Sequence, residues 1–167
     1  MILNLIQEYL RQKTVIINAS FDGGIALKQI VTEVDMDLIG ASESFIHYQT
    51  YVTDIENIPG ESYKYKNVNV SLEFIIQVAN KNYTVYKKVF DRYVFAFMRV
   101  LERSKNPLMT FSDNDISSGL LLLDIQNVKI VNADRFEDEH YKPTINFTLK
   151  INDNMNTSNN ILKSDSI

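Results

Sequence analysis

The sequence predicts an α+β fold: a mostly antiparallel sheet with an N-terminal amphipathic helix and one long aromatic-rich helix packed on it. Three stretches carry this expectation. From Asn67 to Val78 apolar and polar residues alternate with one exception, placing Val68, Val70, Leu72, Phe74, Ile76 and Val78 on one face, which is the period of a strand. From about Thr84 to Ser104 the period becomes helical, with Tyr86, Phe90, Tyr93, Phe97, Val100 and Leu101 on one stripe. A second alternating run sets Ile145, Phe147, Leu149 and Ile151 against Thr144, Asn146, Thr148 and Lys150.

The remaining elements follow in order. Ile2, Leu3, Ile6, Tyr9 and Leu10 recur at three- and four-residue spacing, so Ile2 to Lys13 reads as an amphipathic helix. Val15, Ile16 and Ile17 are β-branched and favour a strand. Asp22-Gly23-Gly24 is a turn, because glycine reaches positive φ at little cost. Gln29 to Ile39 fits both periods. Leu27, Ile30, Val31, Val34 and Leu38 would line a helix, whereas Ile30, Thr32, Val34, Met36 and Leu38 alternate with Val31, Glu33, Asp35 and Asp37 as in a strand. A hairpin across the glycine turn favours the strand.

Phe45 to Thr53, rich in aromatic and β-branched residues, is a strand, and Asp54 to Lys66, with Pro59-Gly60, reads as an extended flexible loop. Ile75 is the one apolar residue on the polar face of the Asn67–Val78 strand, which implies that this face is partly covered. Thr84 serves as helix N-cap, and Lys105-Asn106-Pro107 ends the helix. The helix is apolar beyond one stripe, through Val94, Phe95 and Met98; such a surface is either internal or a subunit contact. Pro107 to Gly119 is a loop, Leu120 to Ala133 one or two strands, and Asp134 to Tyr141 a charged turn. Pro143 opens the last strand, where it gives up no interior ladder bond. Residues 1–151 therefore form one domain. Asn152 to Ile167, polar and rich in Asn and Ser, is expected to be a flexible tail, since its few apolar groups cannot offset ordering entropy.

Composition narrows the functional classes. The 167 residues are 45% hydrophobic and 23% charged, ordinary for one globular domain that buries about two thirds of its surface. With no cysteine there are no disulfides, thiolate metal sites or thiol nucleophiles, which suits a reducing compartment. The first residues lack the basic and apolar regions of a signal peptide, and no apolar run approaches the ~20 residues that span a bilayer. The net charge is −4, and Lys and Arg do not cluster, so gripping a nucleic-acid backbone is disfavoured.

Catalytic and cofactor motifs are missing from the pattern. His47 and His140 lie in a strand and a charged turn, neither beside a serine elbow, and no phosphate-binding glycine loop occurs. No enzyme activity and no cofactor are expected. Asp134-Arg135-Phe136-Glu137-Asp138-Glu139-His140 offers oxygen donors but lacks the spacing and central glycine of a Ca²⁺ loop, so it reads as a solvated hairpin tip and no metal site is assigned. Glu33, Asp35 and Asp37 read either as a solvated strand face or as a negative strip along a passage. A further reading is a small-ligand domain whose apolar pocket would be lined by Tyr48, Tyr51, Tyr86 and Tyr93.

The order of elements resembles a known family. Asn67 to Ser104 (NVNVSLEFIIQVANKNYTVYKKVFDRYVFAFMRVLERS) and Val128 to Ile151, with the final strand YKPTINFTLKI, are similar to the tail-terminator proteins of tailed bacteriophages and contractile tail-like particles. Those proteins begin with a short helix, run a long strand directly into a helix, and finish with a polar turn before an alternating strand. The resemblance implies a structural subunit of a ring, typically hexameric, that caps the tail tube and offers a docking surface to the head connector. Its implied partners are copies of itself, the tail tube protein and the connector or stopper, with the sheath as a further neighbour and no membrane. DNA would pass through the lumen without specific binding. Phe95 and Met98, with Val94, would lie near a subunit seam, and Glu33, Asp35 and Asp37 would face the lumen. The loops Asp54 to Lys66 and Pro107 to Gly119 would reach adjoining rings. The implied location is the host cytoplasm during assembly and then the neck of the virion.

Overall fold

The computed structural model describes residues 2–20, 26–31, 45–77, 83–103, 109–110, 120–137 and 140–153. The chain runs through α1 (Ile2–Ser20), β1 (Leu27–Ile30), β2 (Phe45–Asn57), β3 (Tyr65–Gln77), α2 (Tyr83–Arg103), β4 (Met109–Thr110), β5 (Leu120–Val131), β6 (Phe136–Glu137), β7 (His140–Tyr141) and β8 (Thr144–Asp153). The strands form a mixed, mostly antiparallel sheet in the order β1-β2-β3-β8-β5-β4, with β7 also pairing β3 and β6 pairing β7. The class is α+β, as the periodicities predict.

Alternation decides which face is buried. On β3, Val68, Val70, Leu72, Phe74 and Ile76 are 2% exposed or less. The register sets Tyr48 of β2 opposite Phe74, and Phe147 and Leu149 of β8 opposite Val70 and Val68, so three strands contribute one apolar face. α1 and α2 cover it. Phe90, Tyr93, Phe97 and Leu101 descend from α2, while Ile6, Tyr9, Leu10 and Ile17 descend from α1. At the centre, Tyr48 meets the Phe97 ring at 5.1 Å, Phe74 meets Phe97 at 5.8 Å, and Phe74 meets Phe90 at 6.4 Å, all edge to face. Each such pair adds about 0.5–1.5 kcal/mol to what burial alone provides, because the positive ring edge meets a negative face.

Four expectations are corrected. The opening helix does not stop at Lys13 but continues to Ser20, so Val15, Ile16 and Ile17 are helical. Ile17 lands on the buried stripe and Thr14 bonds both Leu10 O and the Tyr48 hydroxyl, and this tertiary anchoring outweighs the weak strand preference of β-branched residues. Val15 and Ile16 are left on the solvent side, each more than half exposed.

With a helix there, the hairpin across Asp22-Gly24 does not form. β1 instead pairs parallel to β2, Leu27 opposite Ile46. The Asn18 side chain fixes it by donating to Leu27 O (2.8 Å) and accepting from Leu27 N–H (3.0 Å). Of the ambiguous Gln29 to Ile39 stretch, Gln29 and Ile30 are strand, and residues 32–39 lie outside the described residues.

Asp54 to Lys66 is part strand and part turn rather than one extended loop. β2 runs on to Asn57, β3 begins at Tyr65, and a tight turn joins them, closed by Glu61 N–H donating to Ile58 O (3.1 Å). Gly60 sits at φ +79°, the conformation that the third residue of a type II turn demands after a proline. Finally, β8 extends through Asn152 and Asp153, two residues into the expected tail; residues 154–167 lie outside the described residues.

The expected strand Leu120 to Ala133 is one strand to Val131, interrupted by bulges between Leu122 and Asp124 and between Gln126 and Lys129, with Asn127 at φ 56°. The charged turn holds the two short strands β6 and β7. Pro143 sits just before β8, and its carbonyl accepts a bond from Phe74 N–H (2.9 Å). Thr84 lies one residue inside α2, within the ordinary uncertainty of a helix boundary.

Candidate interaction surface

Three residues of α2 widen its apolar side, and the structure separates them. Val94 is 3% exposed and belongs to the core, Met98 is half-buried, and Phe95 is 52% exposed. All three line a groove of about 300 Å³ whose other wall is Ile130 of β5, Ala133 just after it and Pro143, with Asp91 at its edge. Helical spacing explains the grouping: Val94 and Met98 are four residues apart and Phe95 and Met98 three, so they share one flank, the one turned to β5.

The adjoining flank of α2 carries charge. Lys88, Arg92, Arg99 and Arg103 are all exposed, and their spacings of 4, 7 and 4 residues place them on one line beside Phe95. None of the four has an acidic partner among the described residues. By contrast Lys87, one residue away, pairs with Asp91 (3.6 Å) and Asp134 (3.2 Å), and these acids hold its ammonium pKa above the usual value. From the sequence no Lys and Arg cluster is expected. Helical geometry makes one from residues spread over 16 positions, and the signal was their i, i+4, i+11, i+15 spacing.

The far face of the sheet is polar and uncovered over much of its length. Thr53, Asp54, Asn69, Ser71, Asn127, Lys129, Asn146 and Thr148 help line a trough of about 690 Å³. Its side chains bond one another: Asn69 donates to Asp54 (2.6 Å), Thr148 to Asn69 (2.7 Å) and Ser71 to Asn146 (2.9 Å). Near β1 the same face is closed, since Ile75 is 6% and His47 7% exposed, which agrees with the cover that Ile75 implies.

Of the four tyrosines expected to line a pocket, the three described do not converge on one. Tyr48 and Tyr93 fill the core, Tyr51 sits on the opposite face of the sheet, opposite Ser71, and the Tyr86 side chain lies outside those described. Of the charged turn, Asp134 faces Lys87 and Arg135 faces Glu73 (3.6 Å); the side chains of residues 136–140 lie outside those described. No set of three or more acidic or histidine side chains arranged for a metal occurs among the described residues. Among them, too, no helix is long and apolar enough to cross a membrane. Glu33, Asp35 and Asp37 lie outside the described residues, as does most of Pro107 to Gly119.

No family model matches this chain, and no curated protein matches it.

Proposed function

We propose that the chain is a structural assembly subunit of the tail-terminator kind, one copy of a ring that caps a phage tail tube and joins it to the head connector. One observation carries this reading: Phe95, a large aromatic residue 52% exposed in the middle of the longest helix, stands at the mouth of an apolar groove. Large exposed apolar side chains that border an apolar hollow mark contact surfaces, because leaving them in water forgoes about 25 cal/mol per Å². The element order supports it as well, with a helix first, a long strand followed by a long helix, and a closing alternating strand.

In this reading the groove is a seam between copies. The tube, the connector or stopper and the sheath meet other surfaces of the ring, DNA passes through the lumen, and no catalytic step is involved. The protein is made in the host cytoplasm and ends in the neck of the virion. Size exclusion with light scattering, followed by negative-stain imaging with tail tubes, tests it. The expected result is a concentration-dependent ring, hexameric by mass, that limits tube length; a strict monomer that leaves tube length unrestricted refutes it.

A further inference from the structure

We infer that the β2–β3 hairpin tip of one copy docks on the exposed side of α2 in the next, a head-to-tail contact between unlike surfaces. This deepens the ring reading and rests on it. The tip is an exposed arm at the end of β2 and β3, tied back to β8 through Lys150. From Thr53 to Asn57 every residue of β2 is exposed, as is every residue from Pro59 to Lys64. β1 pairs with β2 only as far as Gln49, so the outer edge of β2 beyond it has no strand partner among the described residues.

The arm is built to hold its shape. Its turn is closed by Glu61 N–H to Ile58 O (3.1 Å) and Tyr65 N–H to Ser62 O (2.9 Å). Lys66 donates to Asn57 (2.7 Å), and Lys150 pairs with Glu61 (2.8 Å). Ordering it on contact therefore costs little entropy, which is what preorganised binding elements gain.

The arm and α2 match in chemistry. β2 carries Ile55, 46% exposed, on one flank, and Asp54 and Glu56 on the other, because successive side chains alternate. Neither acid pairs with a cation among the described residues, and Lys64 lies beyond the last pair of the hairpin, Asn57 with Lys66. α2 likewise has an apolar flank, the Phe95 and Met98 groove with Asp91 and Glu102 near it, and on the other side of Phe95 a basic one, Arg92 and Arg99. Apolar meets apolar and acid meets base in a single orientation. Aromatic, Met and Arg side chains are the ones enriched at protein contacts.

Within one chain the two surfaces lie apart along β3. The groove is walled by Pro143, whose carbonyl binds Phe74, whereas the arm begins where Tyr65 pairs Asn152. Ile55 and Glu56 lie opposite Val68 and Asn67, six and seven residues of β3 from Phe74, a separation of about 20 Å. Unlike surfaces at opposite ends generate head-to-tail contacts, which close into a ring when the rotation between copies allows. A standard interface takes about 20 residues per partner, so this patch is its centre and not its whole.

Complementation between two variants tests the contact. A groove variant, Arg92→Glu with Arg99→Glu, and an arm variant, Ile55→Asp with Glu56→Lys, change exposed side chains only; circular dichroism and thermal melts verify folding. Each alone is expected to need at least about tenfold more protein for half-assembly. Mixed in equal amounts they are expected to assemble at lower total protein than either alone, since the intact arm of one meets the intact groove of the other and the exchanged charges meet each other. The four-substitution chain, with both charges exchanged, regains part of the wild-type association. If both variants assemble like the wild type, or the mixture stays monomeric, the arm–groove contact is wrong although the ring stands. A wild type that is monomeric at every concentration overturns both.

Discussion

The hydroxyl oxygen of Thr14 and the phenol oxygen of Tyr48 lie 2.7 Å apart in the core, tying the middle of α1 to β2. Thr14 donates to Leu10 O at 2.9 Å and accepts from the Tyr48 hydroxyl, so the pair links a helix carbonyl, a hydroxyl and a phenol in series. Tyr48→Phe is expected to cost about 1 kcal/mol, the net worth of one buried hydrogen bond, and Thr14→Val a similar amount. A double-mutant cycle by urea denaturation measures the coupling; simple additivity would refute it.

The same pair predicts alkaline behaviour. Burial pushes the Tyr48 phenol well above its ordinary value of 10.0, with the Thr14 bond opposing only partly. The unfolded chain loses this proton near pH 10 while the folded chain keeps it. Stability from Tyr48 is thus complete below pH 10 and falls as pH rises beyond it, by up to ~1.4 kcal/mol per pH unit. Tyr48→Phe should flatten this part of the limb in equilibrium unfolding between pH 9 and 11; an unchanged slope would count against it.

Phe95 and Phe97 are two residues apart on α2 and should respond in opposite ways. Phe97 is fully buried and edge-on to Tyr48 and Phe74, so Phe97→Ala is expected to cost about 3–5 kcal/mol. Phe95→Ala changes an exposed ring and should leave monomer stability within about 0.5 kcal/mol. Urea midpoints of the dilute protein compare them directly.

Asn18→Ala removes both side-chain bonds to the backbone of Leu27 and should cost about 1–2 kcal/mol. The more diagnostic readout is local. Amide exchange at Leu27 should quicken more than at Val70, in the middle of the sheet, because only β1 loses its anchor. Equal acceleration at both positions would argue against an anchoring role.

Gly60 has open space where a Cβ would go, so its requirement is one of backbone alone. At φ +79°, Gly60→Ala should destabilise by about 1–2 kcal/mol, roughly 2–8 °C in Tm, and Gly60→Asn by less. If alanine and asparagine cost the same, side-chain contacts at the turn would have to be invoked.

Much of this fold was legible in the sequence, for a physical reason that differs by element. β3, β8 and α2 pack one face each over ten or more residues, so burial writes its period into the chain: Val68 to Ile76, Ile145 to Ile151 and Phe90 to Leu101 read correctly. Val15-Ile16-Ile17 did not. Local preference pointed to strand, and a bond from Thr14 to a residue 34 positions away decided for helix. The interaction surface was half legible: the apolar excess at Val94, Phe95 and Met98 showed, the basic line beside it did not.

What the sequence alone determined is therefore the class, an antiparallel α+β sheet with two covering helices, because alternation and helical period are properties of neighbouring residues. Tertiary structure decided the rest. It placed Val94 in the core and Phe95 in solvent, brought Ile130 and Pro143 to the groove, and extended β2 and β3 into residues that read as loop. These outcomes depend on which distant segments share a face, and a local pattern carries no record of that.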